Sequence, residues 1–222
     1  MRFLSKLSGL GIAILSMLIL AGCATEGGPS STKPAAVSPE VAQARSEYEV
    51  YRSLPSWEFG SYRNQKLMAQ ANPSNTSVQI SIKEQRGLLL VNGAVAMDFP
   101  VATGRAAHPT PTGHFYIKEK ISDYHSNIYG RTFDAYGNVV LPDADKRTDP
   151  IPEGGRFVEA AMTNWMRLTD DGVGMHVGYV PGGGRSASHG CIRLKEGTAK
   201  QVFDVTRVGT SVIIAEEPPA LK

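Results

Sequence analysis

The chain has 222 residues, 41% of them apolar and 20% charged, with a formal net charge of +2; this is ordinary globular composition and excludes wholesale disorder. Arg2 and Lys6 supply the whole positive excess, and a neutral remainder argues against nucleic acid as a partner, because phosphate binding needs a basic surplus. Two cysteines permit one bridge at most and exclude a disulfide scaffold.

Arg2 and Lys6 precede an apolar run from Leu10 to Ala21. A charged start, a short apolar middle and small residues at the end describe a secretory signal over residues 1–22. The run is shorter than the roughly 20 residues a membrane span needs. It closes on Leu20-Ala21-Gly22-Cys23, which resembles the lipobox of bacterial lipoproteins. The resemblance implies cleavage before Cys23, lipidation of Cys23, and a membrane anchor through its acyl chains. Ala24 in place of aspartate implies the outer membrane, with the protein on the periplasmic side of the cell envelope. The competing reading is an ordinary secreted protein with a chance cysteine at that point. If Cys23 is acylated, Cys191 has no partner in the chain. An unpaired thiol in an oxidising compartment is either used or buried and inert.

Residues 23–75 read as the lipidated cysteine, a flexible tether and a connector. The stretch from 24 to about 40 is Gly, Pro, Ser, Thr and Ala. Pro39 to Leu54 has the spacing of a short helix with a thin apolar face on Val41, Ala44, Tyr48 and Tyr51, stopped by Pro55. Trp57, Phe59 and Tyr62 are the connector's candidates for packing on the domain. A compact domain is expected over 76–216, with a tail at 217–222. Val78, Ile80 and Ile82 alternate with polar residues as in a half-buried strand. Leu88–Val91 and Ala94–Val101 follow as strands joined by Asn92-Gly93, a two-residue hairpin signal. Pro109 to Gly113 is a rigid turn before a strand at Phe115–Lys118. Ser122–Gly155 reads as a long loop with a small hairpin at Tyr136-Gly137-Asn138. Strands are expected at Phe157–Met166, Val173–Val177 and Ser211–Ala215, with a helix through Ala199, Val202, Phe203 and Thr206 ended by Gly209. The fold class is mainly β: a sandwich or partly closed barrel with one late helix and a long lid-like loop.

One constellation carries chemistry. Ser188-His189-Gly190-Cys191 follows a glycine run at 182–184, and His176 lies 15 residues before Cys191. A thiol nucleophile needs a base beside it to take its proton. His189 would share a face with Cys191 in an extended strand, and His176 could reach it from a neighbouring one. Gly190 would allow a tight turn, and the amides of Gly190 and Cys191 could face a developing oxyanion. The plainer reading makes both histidines structural and the cysteine core. A zinc site from His176, His189 and Cys191 lacks the paired short spacings of structural zinc. A papain-like protease would carry the cysteine before the histidine, and here the order is reversed.

Met175-His176, the glycine run and Ser-His-Gly-Cys-Ile-Arg-Leu from 188 to 194 closely resemble the L,D-transpeptidases with a YkuD-type catalytic domain. Phe99 to Gly104, Pro109 to Gly113 and Gly209 to Val212 are similar to that family's other signatures. The resemblance implies that Cys191 is the nucleophile, that His176 is the general base, and that Ser188, His189 and Gly190 shape or support the oxyanion site. It implies Arg193 as a partner for a stem-peptide carboxylate, with a plain structural ion pair as the alternative. Val177 follows His176, so the imidazole's orienting partner must be a backbone carbonyl or a distant side chain. Asn164, Trp165 and Tyr124 are weaker candidates for lining the donor groove. The implied reaction is acyl transfer on peptidoglycan stem peptides: attack at the L-centre carbonyl of the third residue of a tetrapeptide, release of D-alanine, and transfer to an amine. That amine belongs to a second stem or to a protein on the wall. The implied alternatives are an L,D-carboxypeptidase, with water as acceptor, and a non-catalytic wall-binding lipoprotein. No cofactor or metal is expected.

Overall fold

The computed structural model describes residues 38–218; the expected signal, Cys23 and most of the expected tether lie outside them. The chain enters through helix α1 (Pro39–Ser53). Ser38 caps it by accepting a hydrogen bond from the Val41 amide, and Pro39 occupies the first turn, where no amide is needed. Leu54 leaves in an extended conformation, as a residue before proline must. Val41, Ala44 and Tyr48 are the buried stripe.

The connector holds more structure than its composition suggests. Strand β1 (Tyr62–Arg63) pairs with β4 (Ala94–Ala102), and helix α2 (Gln65–Gln70) is capped by Asn64. Trp57 lies under the Arg52 guanidinium at 3.7 Å, and Tyr62 packs on Tyr48 and Tyr51. Phe59, expected to pack, is 71% exposed.

Strands β2 (Thr76–Ser81), β3 (Arg86–Val91) and β4 form an antiparallel meander. Asn92 and Gly93 join β3 to β4 with φ of 50° and 77°, the paired positive values of a tight hairpin turn. Then come β5 (Gly113–Tyr116), β6 (Glu119–Ile121), β7 (His125–Phe133), β8 (Val139–Asp145), β9 (Arg156–Ala161), β10 (Trp165–Arg167), β11 (Gly174–Val177) and β12 (Ile192–Leu194). Helix α3 (Glu196–Val205) and β13 (Ser211–Ala215) close the domain. Ten strands make one curled sheet in the order β5-β13-β2-β3-β4-β12-β11-β10-β6, with β1 beside β4. Val78, Leu89, Phe99, Met175, Ile192 and Ile214 lie in its core, and Ala199 and Val202 of α3 join them.

The mainly-β, partly closed architecture with a late helix is as the pattern of strands predicts. The segment expected as a long loop is different. β7, β8 and β9 form a second, three-stranded sheet in the order β8-β7-β9, and the hairpin around Tyr136-Gly137-Asn138 is the turn between β7 and β8. The single strand expected over Phe157–Met166 is two, β9 and β10, in different sheets. No helix among the described residues is long and apolar enough to cross a membrane.

Beneath α1 lies a buried ion pair. Arg86 on β3 holds Asp98 on β4 at 2.7 Å, and Tyr48 donates to the other Asp98 oxygen at 2.8 Å. Arg86 also donates to the Gly60 carbonyl, and Arg52 pairs with Glu84 at 2.7 Å. The network ties α1 and the connector to the first hairpin.

Candidate active site

Alternation along two central strands decides what meets solvent. Met175 on β11 enters the core, so His176 faces the other side; Ile192 and Leu194 on β12 enter the core, so Arg193 faces that side too. β11 and β12 run parallel, with Met175 opposite Ile192 and His176 opposite Arg193. Cys191 immediately precedes β12 and continues its alternation, which sets the thiol on the His176 face. Strand spacing and rise put the Cα atoms of this diagonal pair about 8 Å apart, a gap the two side chains together can bridge. Both line one cleft of about 710 Å³, walled also by Tyr129, Gly130 and Arg131 of β7, Asp143 of β8, Val158 and Glu159 of β9, and Ser188, His189 and Arg193.

The imidazole is fixed by its own strand. His176 Nδ1 lies 2.7 Å from the Val177 carbonyl oxygen. A carbonyl only accepts, so Nδ1 carries the proton and the Nε2 lone pair is free to act as a base. The orienting partner is thus a backbone carbonyl, one of the two options the sequence leaves open. Trp165 packs beside the ring at 6.0 Å between centroids. Burial pushes the His176 pKa down to about 4; the Val177 carbonyl opposes the shift and the Arg193 charge adds to it.

The thiol of Cys191 is half-buried and lies 3.7 Å from the Gly172 carbonyl, to which it donates. Burial pushes its pKa above the ordinary thiol value, partly offset by a hydrogen bond from the Gly174 backbone and by the Arg193 charge. Desolvation thus disfavours both charged forms, the thiolate and the imidazolium.

Ser188 holds the turn ahead of Cys191. Its hydroxyl donates to the Cys191 carbonyl at 2.5 Å and accepts from the Gly190 amide at 3.1 Å. Thr110 donates to the Gly190 carbonyl at 2.7 Å, and the Ser188 amide donates to the Thr103 carbonyl. Gly190 has φ of 108°, a conformation side chains resist, so glycine is required there. Two expectations change. The Gly190 amide is spent on Ser188, which leaves the Cys191 amide as the free one of that pair. His189 does not lie in an extended strand with Cys191, because the Gly190 turn intervenes. Its ring stacks on Tyr129 at 4.4 Å, contacts His108 at 4.8 Å, accepts from Arg105, and faces Asp143 at 3.6 Å. Burial lowers its pKa, with Asp143 opposing and Arg105, His108 and Arg193 reinforcing.

Of the weaker candidates, only Arg193 lines the cleft. Trp165 is 1% exposed, donates to Glu119 and stacks on Tyr124 at 5.0 Å. The pair backs the His176 wall rather than facing substrate. Asn164 adopts φ of 56° at the junction before β10, its amide bonded to the Ser122 carbonyl. Sequence reasoning missed Arg105, Thr110 and Asp143 as parts of the site. Thr110 sits in the proline turn; Asp143 carries no local signal, since only the second sheet brings it and Tyr129, a residue of the expected lid-like loop, to the cleft.

The depressed His176 pKa has a consequence for stability. The unfolded imidazole takes its proton near 6.5, the folded one near 4, so the unfolded chain binds more protons between those values. Stability is therefore expected to fall by about 3 kcal/mol as pH drops from 7 to 4 on this account alone. Urea titrations of wild type and His176→Gln at both pH values check it: the variant should lose that part of the slope, and equal slopes would exclude it.

The arrangement, a curled β-sheet with a thiol and an imidazole on adjacent parallel strands facing one cleft, has the parts that thiol-based acyl transfer requires. The family profile of the L,D-transpeptidase catalytic domain, YkuD, matches residues 75–214. The chain belongs to this family. It is similar in structure to an L,D-transpeptidase from Mycobacterium smegmatis, with 24% identity, 64% of this chain and 58% of that chain covered, and a TM-score of 0.50. An Enterococcus faecium L,D-transpeptidase mutant matches at 22% identity, covering 64% and 50%, with a TM-score of 0.48. L,D-transpeptidase 1 of Mycobacterium tuberculosis matches at 24%, covering 63% and 61%, with a TM-score of 0.45. At such identities the likeness speaks to the fold alone, and the M. smegmatis comparison carries it. The chain spans less than two thirds of the length of these three structures. No curated protein matches it.

Proposed function

We propose that this domain is a cysteine-dependent L,D-transpeptidase acting on peptidoglycan stem peptides. The observation that carries the reading is the shared cleft of Cys191 and His176, with Nε2 left free by the Val177 carbonyl. The donor carbonyl, at the L-centre of the third stem residue, approaches Sγ. His176 Nε2 takes the thiol proton as the S–C bond forms, so the ion pair exists only while substrate covers the cleft. Arg193 favours the charge on sulfur and disfavours it on the ring, which drives the proton onward to the leaving amine. The Cys191 amide donates to the oxyanion. The C–N bond breaks, D-alanine leaves with the proton, and a thioester remains. An acceptor amine then gives a proton to His176 and attacks; the S–C bond breaks and the proton returns to sulfur. The chemistry needs neither a metal nor an organic cofactor.

On the same reading the protein works on the periplasmic side of the envelope, held at the outer membrane by acyl chains on Cys23. Support for this is the lipobox-like Leu20-Ala21-Gly22-Cys23 and the charged, apolar segment before it. A mature N-terminal peptide bearing acyl mass is expected, and a bare one would refute it.

The test of the reaction is incubation with disaccharide tetrapeptide, with and without an amine acceptor. The expected product is the donor minus D-alanine joined to the acceptor, seen by mass. Tripeptide alone under both conditions would make the enzyme an L,D-carboxypeptidase. An unchanged donor with folded protein would overturn the enzymatic reading and favour a wall-binding lipoprotein.

A further inference from the structure

The hydroxyl of Thr110 is committed on both sides, and both partners are main chain. It accepts from the Gly104 amide at 2.8 Å and donates to the Gly190 carbonyl at 2.7 Å. The direction is forced: an amide only donates and a carbonyl only accepts, so the single hydroxyl proton lies toward Gly190. Thr110 is buried, which shields both bonds from water. Gly104, at the other end of the relay, is itself fixed against the turn. It bridges Ser188 in parallel register, and the next amide, that of Arg105, donates to the Ser188 carbonyl at 3.0 Å. A Cβ on Gly104 would lie 3.0 Å from Gly190 Cα, so the two backbones rest on each other. Thr110 is not a wall of the cleft.

The Gly190 carbonyl and the Cys191 amide belong to one peptide unit. That unit is planar and trans, so its C=O and N–H point in opposite directions. Turning the plane takes rotation about the Gly190 ψ and the Cys191 φ, and glycine leaves the first of these soft. A bond on the carbonyl therefore sets where the Cys191 N–H aims. It also polarises the unit, which makes that N–H a stronger donor. The Cys191 amide donates to no group among the described residues. An aimed and unused donor beside a thiol is what a developing oxyanion calls for. We infer that Thr110 is a positioning residue: its hydroxyl holds the Gly190–Cys191 peptide so that the N–H meets the oxyanion. This rests on the acyl-transfer reading above and adds the part that aims the donor.

The test sets two reactions of the same sulfur side by side. Acyl-enzyme formation from the tetrapeptide donor passes through an oxyanion; alkylation by iodoacetamide, a displacement of iodide at a saturated carbon, does not. Both rates are read by intact mass at one pH for wild type, Thr110→Val and Thr110→Ser. Thr110→Val keeps the size and branching and removes the hydroxyl. It should slow acylation by about 10–100-fold, less than the loss of an oxyanion donor outright, and leave alkylation unchanged. Thr110→Ser keeps the hydroxyl and should acylate as wild type does. Thr110→Ala is the second hydroxyl-free variant should valine not fold, with the same split expected. Unchanged acylation without the hydroxyl, a matching change in alkylation, or a serine variant as slow as the hydroxyl-free ones would overturn the inference alone. Absence of any acyl-enzyme in wild type whose Cys191 is still alkylated would remove the acyl-transfer reading and this inference with it.

Discussion

Cys191→Ala is expected to abolish covalent acylation outright, and His176→Gln to slow it by about 10²–10⁴-fold, the range for loss of a positioned general base. Intact-mass measurement after exposure to a carbapenem or to the tetrapeptide donor reads both. The base assignment makes a further demand on the pH profile. His176 is neutral above pH about 4, so its protonation does not limit the rate between pH 5 and 8. The inflection near 6.5 that an ordinary histidine would give should be missing from acylation by the donor. Iodoacetamide, which reacts by displacement of iodide and offers no leaving amine to receive the thiol's proton, should react slowly at neutral pH and accelerate as pH rises, because burial raises the thiol pKa. An adduct that survives Cys191→Ala would sink the nucleophile assignment. Equal donor acylation in His176→Gln and wild type would sink the base.

Arg86→Met is expected to cost about 3–5 kcal/mol of folding stability, because it strands a buried carboxylate. Asp98 is fully buried, and burial raises its pKa even with Arg86 beside it opposing the shift. In the variant, Tyr48 and the more distant Arg52 at 3.7 Å are all that face the carboxylate. The double variant Arg86→Met with Asp98→Leu should recover much of the loss, since replacing both charges removes the orphan. Urea denaturation of the two variants and wild type decides it. A loss below about 1 kcal/mol in Arg86→Met would mean that water reaches the carboxylate or that the pair is replaced locally.

The readable parts of this chain were those where local chemistry and tertiary structure agree. Asn92-Gly93 announces its turn because few other pairs tolerate two positive φ values. Val78, Ile80, Val212 and Ile214 announce strands because one sheet face is buried. The second sheet was illegible for the opposite reason. β8 runs Val139-Val140-Leu141-Pro142-Asp143-Ala144-Asp145, mostly exposed, with a proline inside. β9 is likewise largely exposed. Neither has the alternation that marks a half-buried strand, so turn residues dominated the reading. The connector failed on length: β1 is two residues and α2 six, too short for any period to register. In the site, residue identities were plain but their states were not. Sequence names a thiol and an imidazole; only burial tells that charge is disfavoured on both, and only the contact with Ser188 tells that the Gly190 amide is already engaged.

The parallel pairing of β11 and β12 has a practical corollary for engineering. Their alignment is fixed from below, by Met175 and Ile192 in the core, and does not depend on the span of chain joining them. The crest of that span, Gly182 and Gly183, has open space wherever a side chain would begin. A reporter peptide or a circular-permutation cut introduced at the crest would therefore leave His176 and Cys191 in step, without disturbing the floor on which they stand.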